Sequence, residues 1–497
     1  MTTSWLAIRN AHAFPLSEVP VCPITDFRDL VIRQVAAGQR LVALFHIPED
    51  GHAKLCAVLA DDGNRSLGAT IGVAEGDRYP SLTPDCLQAH LFEREIAENG
   101  GPLPEGHPWL KPVRFPRNSA LPHRSVGGMD FYRVDGQEVH EVAVGPVHAG
   151  VIEPGHFRFQ CHGEIVLHLE ISLGYQHRGV ETAFPGATPV MRRLMAESVS
   201  GDTTAGHATA YCGAMEALSR TRVPGRARMI RNIAQELERA ACHIGDLGAL
   251  AGDVGFLPTS SFCGRIRGVV LNMTAALCGN RFSRGLLRPG GVTRDIDKPI
   301  VAHLLGQLRT VRRDAIDAVN LLWETPTVMA RFEGTGVLTR EDAVAIGLVG
   351  PASRACGVAR DVRSTFPYAG YDDAPIPIQT EETGDVLARA RVRSREVVQS
   401  LDYVGKHLLD LPDTPLFAEP EASTEPDAMV VSMTEGWRGE IVHIAMTDGS
   451  GALSRYKIVD PSFHNWFGLA MAMRNRGISD FPLCNKSFNL SYCGFDL

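Results

Sequence analysis

Residues 226–248 read RARMIRNIAQELERAACHIGDLG. Met229, Ile230, Ile233, Leu237, Ala241, Ile244 and Leu247 recur at spacings of three and four, which lays one apolar stripe along a helix. Helical text surrounds this segment from Pro189 to about Arg281 and resumes at 298–323, 338–346 and 384–410. Strand signals lie on either side of the block. Upstream, FRFQC (157–161) and IVLHLEI (165–171) flank His162-Gly163, and strict alternation in the second run predicts a hairpin. Downstream, an acidic, Pro-containing loop at 411–427 leads into strands at 429–434, 440–447 and 453–459, then a helix at 462–475.

The N-terminal quarter has a different texture. LVALFHI and KLCAVLA, between Arg40 and Ala60, are broken by Pro48 and Gly51, a strand–turn–strand signal. Residues 101–128 hold six prolines and four glycines in 28 positions, an extended linker or wrapping segment. The reading therefore divides the chain into domains at 1–128 and 129–497. No internal repeat is found.

The chain has 497 residues, 44% apolar and 21% charged, with a net charge of −8. This is ordinary globular usage and excludes disorder, collagen and coiled coil as the overall class. The basic residues are scattered, so nucleic acid is not expected as a partner. No run of 18 apolar residues is present, so no membrane-spanning helix is expected. Met1 to Pro15 makes a poor signal peptide, with Arg9 and His12 inside its short apolar stretch. A cytoplasmic protein is expected, docked peripherally on the inner side of the cell membrane. Eleven cysteines, none at CxxC spacing, predict reduced, mostly buried thiols and no local zinc or iron–sulfur site.

Ordered motifs then accumulate. The first region carries SLTP (81–84), FERE (92–95) and GHP (106–108). The second carries GPVH (145–148), EPGHF (153–157), GYQHRGVE (174–181), GHATAY (206–211), RPGGV (288–292), GPASRACGVARDVR (350–363) and PYAGY (367–371). Together these resemble the large subunit of formate hydrogenlyase-type, membrane-bound nickel–iron hydrogenases. They are similar too to the joined thirty- and forty-nine-kilodalton subunits of respiratory complex I (NADH dehydrogenase, an NAD- and quinone-binding assembly). The resemblance implies an α+β fold: a small N-terminal α/β sandwich domain and a large helical bundle flanked by β-hairpins.

Active members of that family hold nickel and iron with two cysteine pairs, R-x-C-G-x-C and D-P-C-x-x-C. Anchored on His207, the first pair falls on Ser200 and Thr203, with Ser198 in place of the arginine; the second falls on Ser491 and Gly494. Nickel in such a site needs thiolate donors, and a hydroxyl that stays protonated is a poor substitute. No nickel–iron centre and no other bound cofactor is expected on this chain. Cys493 is one residue out of register and Cys212 lies nine residues beyond Thr203, so both thiols should point elsewhere or stand alone. The complex I quinone hairpin keeps His148, but its second histidine position is Ile152 and the tyrosine position is Gly201, which puts quinone binding there in doubt.

The resemblance places Glu153 and His156 on a proton path beside the metal, with a hydrogen-bonded hairpin role as the alternative. Arg438, over the iron ligands in active members, is expected as a counter-charge for Glu440 or Glu153. His177, Arg178 and Glu181 are expected to order the core beneath the site. His243 is expected as a satisfied core histidine, and Arg354, Asp361 and Arg363 as an internal ion-pair network. As partners the resemblance implies a small subunit carrying a 4Fe–4S cluster and membrane subunits of the complex I or antiporter type. The expected function is a peripheral-arm subunit of a membrane-bound oxidoreductase complex. An active hydrogenase or NADH–quinone oxidoreductase component, and a non-redox assembly scaffold, are the alternatives. If the resemblance holds, Ser200 and Ser491 must meet in space, with Glu153 and Arg438 approaching the same point.

Overall fold

A computed structural model of the chain describes residues 5–48, 53–117, 119, 121–122, 125–148 and 152–497; Gly51 of the expected turn lies outside them. The chain opens with short strands β1 (Leu6–Ile8), β2 (Ala13–Pro15) and β3 (Val21–Pro23), helix α1 (Ile24–Ala36), and then β4 (Arg40–Ile47), β5 (Ala53–Asp61) and β6 (Ser66–Ala74). Strands β4, β5 and β6 form an antiparallel meander; β1 and β3 lie end to end along the free edge of β6. Their residues are buried on both faces, which explains continuous apolar runs rather than alternation. β7 (Arg78–Pro80), α2 (His90–Glu98) and β8 (Leu103–Glu105) complete this region. Here the FERE and SLTP motifs meet. Glu93 accepts from the backbone N–H of Leu82 and Thr83 and from the hydroxyls of Ser81 and Thr83, at 2.6–3.0 Å.

Beyond the Pro/Gly-rich segment, β9 (Val139–Val144) adds a third strand to the expected hairpin of β10 (His156–His162) and β11 (Ile165–Ser172). Helices α3 (Val180–Ala183), α4 (Pro189–Glu197), α5 (Thr204–Leu218), α6 (Gly225–Asp253) and α7 (Leu257–Cys278) follow. A two-stranded ribbon, β12 (Leu287–Arg288) and β13 (Gly291–Val292), precedes α8 (Lys298–Trp323). After it come the short helices α9 (Pro326–Phe332), α10 (Arg340–Ala345), α11 (Gly350–Arg354) and α12 (Val362–Thr365), then the long α13 (Val386–Leu409). Strands β14 (Ala428–Gly436), β15 (Gly439–Thr447) and β16 (Leu453–Val459) lead to α14 (Pro461–Ala472), α15 (Phe481–Phe488) and α16 (Tyr492–Asp496).

The 29-residue α6 is the centre of the bundle, packed on α7 and α13. Its apolar stripe is buried as the periodicity implies, but so is the face opposite. Arg231, Asn232, Gln235, Glu236, Arg239, His243 and Asp246 are all buried. Burial of charge is costly unless each group is paired, and the charged side chains among these are. Glu236 takes Arg363 (3.0 Å), Tyr371 and Ser400; Arg239 donates to the carbonyls of Glu435 and Gly436; Asp246 takes Arg393 (2.8 Å). Arg354, Asp361 and Arg363 form the expected network, closed by Glu396 and Glu435. His243 donates through Nε2 to the Glu396 carboxylate at 2.8 Å, while its Nδ1 has no partner, so it is satisfied on one side only.

The region before residue 128 is welded to the rest. β2 pairs antiparallel with β14, extending the C-terminal sheet to β16-β15-β14-β2. Arg40 on β4 forms a bidentate pair with Glu440 on β15, and Asp62 bridges Arg40 and Arg360. Lys457 on β16 reaches Glu95 on α2 at 2.6 Å. One continuous apolar core runs through both regions.

Candidate functional site

Four segments converge on one point. The first is the turn Ser200–Thr203, which leads into α5. The second is the two-residue turn Trp437-Arg438 between β14 and β15, closed by the Gly436–Gly439 pair. That turn can lie against α11 only because Gly350 has no side chain. A Cβ on Gly350, at φ +67°, would stand 2.1 Å from the Arg438 carbonyl oxygen. The third is the Ser491–Gly494 turn that starts α16, and the fourth is the start of α14 at Asp460.

Ser200 Oγ lies 3.0 Å from Ser491 Oγ and 3.1 Å from the Asp202 carboxylate. Thr203 Oγ1 is 3.2 Å from the same carboxylate oxygen. Ser491 Oγ accepts from Gly494 N–H at 2.9 Å, capping α16. Arg438 makes a bidentate pair with Asp202 at 2.6 and 2.8 Å, and its Nη1 also faces Ser200 and Thr203 at 3.4 and 3.3 Å. Its guanidinium stacks on Trp437, whose indole N–H donates to the Asp202 carbonyl. Burial works to raise the Asp202 carboxyl, and the Arg438 pair outweighs it, holding Asp202 below the usual range.

The expected partner of Arg438 is therefore corrected. Glu440 is not its counter-charge, because Arg40 already neutralises Glu440; Asp202, unremarked in the sequence, takes Arg438 instead. Cys493 stands as a single thiol at the rim of the cluster, its Sγ 3.5 Å from Ser491 Oγ. Burial first, and the facing Glu153 carboxylate second, push this thiol above its ordinary range, so Glu153 reaches the rim through Cys493. Cys242, on α6, was not singled out either; it donates to the Asp202 carbonyl at 3.5 Å, and burial drives its thiol well upward. Cys212 is buried elsewhere, with its thiol pushed up to about 12 by burial.

The remaining candidates are held structurally. His148 and His156 pin the β9–β10 connection through the carbonyls of Gly155 and Gly145, both at 3.1 Å, and His156 also meets Arg158 and Phe131. His156 is thus not brought to the hydroxyl cluster. His177 binds the Asp496 carbonyl at 2.7 Å. Arg178 ties together the carbonyls of Ser198, Val199 and Cys493, joining the Ser200 and Ser491 segments from outside. Glu181 accepts from Ile458 N–H and pairs with Lys457. His207 is buried and makes two side-chain hydrogen bonds, to Asp460 and His443.

The donor set is three hydroxyls, a carboxylate already paired with arginine, and thiols held protonated. It does not fit a nickel–iron centre, which requires converging thiolates. Among the described residues no group of three His, Cys, Asp or Glu side chains is placed to hold a metal ion. No helix of the described residues is long and apolar enough to cross a membrane.

Residues 253–430 match the family model described as respiratory-chain NADH dehydrogenase, 49 Kd subunit. The chain is 34% identical to the carbon monoxide-induced hydrogenase of Rhodospirillum rubrum over 351 residues, covering 70% of this chain and 97% of that one. It is 31% identical to formate hydrogenlyase subunit 5 of Escherichia coli (strain K12) over 467 residues, 89% and 82% of the two chains. In fold it is similar to a chain of the membrane-bound sulfane sulfur reductase, an archaeal respiratory membrane complex. That match has TM-score 0.68 and 24% identity, over 74% of this chain and 100% of that one.

Proposed function

Since the chain belongs to the family of membrane-bound hydrogenase large subunits and complex I 49 kDa subunits, we propose that it is a peripheral-arm subunit of a membrane-bound oxidoreductase complex. In this reading it supports electron transfer and proton-linked coupling without a nickel–iron centre of its own. The observation that carries the proposal is the Ser200–Ser491 contact. The two segments that would clamp the metals are brought together, and what meets there is hydroxyl against hydroxyl, locked by the Asp202–Arg438 pair. The partners in this reading are a small subunit carrying a 4Fe–4S cluster and membrane subunits of the complex I or antiporter type. Its place is peripheral, on the inner face of the cell membrane. Glu153 and Arg438 are assigned to the vestigial cavity, Glu153 as the group able to exchange protons at its rim and Arg438 as the charge that closes it.

The test is purification from native membranes with partner identification and metal analysis. Co-purification with a cluster-binding subunit and membrane subunits is expected; a chain recovered quantitatively as a soluble monomer contradicts the proposal.

A further inference from the structure

Behind the hydroxyl cluster runs a second line of buried polar groups that the reading above does not use. Asp460 caps α14 by accepting from Ser462 N–H, and its Oδ2 lies 3.0 Å from His207 Nε2. His207 Nδ1 lies 3.0 Å from His443 Nε2, and His443 Nδ1 lies 2.8 Å from the Tyr456 hydroxyl. Neither His207, His443 nor Tyr456 has any exposed surface, and Asp460 has 1%. The near end abuts Gly494, where a Cβ would stand 2.6 Å from Asp460 Oδ2. The Asp460 carboxylate thus fills the space that a side chain at 494 would need.

Counting donors and acceptors fixes the protons. An ionised Asp460 only accepts, so His207 carries hydrogen on Nε2. With His207 neutral, its Nδ1 accepts, so His443 carries hydrogen on Nε2. His443 Nδ1 then accepts from the Tyr456 hydroxyl, and every group is satisfied. One added proton goes to His207 Nδ1, which now donates to His443 Nε2. His443 must change tautomer and carry its hydrogen on Nδ1, donating to the Tyr456 oxygen, and the Tyr456 hydrogen loses its acceptor. The imidazolium formed on His207 faces the Asp460 carboxylate.

We propose that Asp460, His207, His443 and Tyr456 form a buried site that takes up one proton by switching His443 between tautomers. Asp460 favours the loaded state and the Tyr456 hydroxyl favours the unloaded one. The Asp460 carboxylate contacts His207 and not His443, and burial, together with the neighbouring His207, holds His443 well below the ordinary imidazole range. The surrounding ionisable groups are few. Arg438 and His464 face Asp460. Glu238 accepts from the first turn of α5, beside His207. Tyr211, Cys212 and Arg192 lie toward Tyr456. Of these, Arg438 opposes loading but is itself neutralised by Asp202.

The test uses the full-length chain labelled with 15N in histidine, with ring signals assigned from His207→Gln and His443→Gln. Wild type is expected to show both rings as the Nε2–H tautomer when unloaded. On acidification His443 moves to the Nδ1–H form as His207 becomes imidazolium. Tyr456→Phe removes the group that favours the unloaded state, so its midpoint should rise by about one pH unit. Asp460→Asn keeps a capping oxygen for α14 and should lower the midpoint by about a unit or more. A structural role alone predicts neither opposite shift. Rings that keep one tautomer throughout, or midpoints that stay put in Tyr456→Phe, overturn the proposal, and that variant retains the Phe184 stacking contact of residue 456 if Asp460→Asn does not fold.

Discussion

Ser200 Oγ stands 3.0 Å from Ser491 Oγ, although 291 positions separate the two residues. Neither hydroxyl depends on the other for its place. Ser200 is held by Asp202, and Ser491 caps α16 through the Gly494 N–H. Their meeting is a property of the tertiary fold, produced by α5, the β14–β15 turn and the C-terminal helices converging around Arg438.

The contact has a measurable strength. Ser200→Ala should cost about 1–3 kcal/mol for its two hydrogen bonds, to Ser491 and Asp202. Ser491→Ala, which also removes a helix cap, should cost about 1–2 kcal/mol. The two hydroxyls contact each other directly, so a double-mutant cycle by urea denaturation should return a coupling of about 0.5 kcal/mol or more. Strict additivity would mean that the two hydroxyls do not interact.

Gly494 should not tolerate a side chain while Asp460 is present. Gly494→Cys places a Cβ 2.6 Å from the Asp460 carboxylate and 2.9 Å from Ser491 Oγ. The expected cost is about 1–3 kcal/mol, the usual price of overpacking. Adding Asp460→Ala should recover part of that loss in thermal denaturation. A Gly494→Cys variant as stable as wild type would contradict the packing described.

The two regions are joined by Arg40 and Glu440, whose side chains are each only 4% exposed. Arg40→Ala leaves Glu440 buried without its main counter-charge and should cost about 3–5 kcal/mol. Glu440→Gln in the same background should restore part of it. Equal stability of Arg40→Ala and wild type would show that the interface does not depend on the pair.

Acid should loosen the same interface. Burial lowers both His90 on α2 and His464 on α14 to about 3, from an ordinary 6.5. Both are depressed in the folded state, so their contribution is complete above the unfolded value of 6.5. It is lost as pH falls from there toward about 3, because unfolding then takes up protons. Each imidazole adds a slope of about 1.4 kcal/mol per pH unit over that window. His464→Phe should flatten the fall by one proton, measured as unfolding free energy against pH. An unchanged slope would place the proton uptake elsewhere.

Much of this architecture was legible in the text. The apolar stripe of α6 marks the bundle, the FRFQC and IVLHLEI runs mark the hairpin, and the spaced motifs bring Ser200 to Ser491. Local periodicity could not see what pairs across the chain. The stripe says nothing of the second face of α6, where Glu236, Arg239 and Asp246 are buried because Arg363, the β14 carbonyls and Arg393 arrive from distant segments. Three-residue strands such as β2 carry no pattern long enough to read, and β2 is placed by β14. Arg438, expected to face Glu440 or Glu153, pairs with Asp202, which lies 236 residues away and which no local pattern could indicate. Asp460 carried one readable signal: an Asp before Pro461 is a helix start. Its contact with His207 needed the fold.

The measurement that bears most directly on the account is nickel and iron analysis of this chain, separated from its partners after purification of the complex from native membranes. With hydroxyls at Ser200, Thr203 and Ser491, no side chain at Gly494, and Cys493 and Cys242 held as thiols, nickel should be far below one atom per chain. Near one nickel per chain would contradict the account and restore the chain to the active hydrogenases.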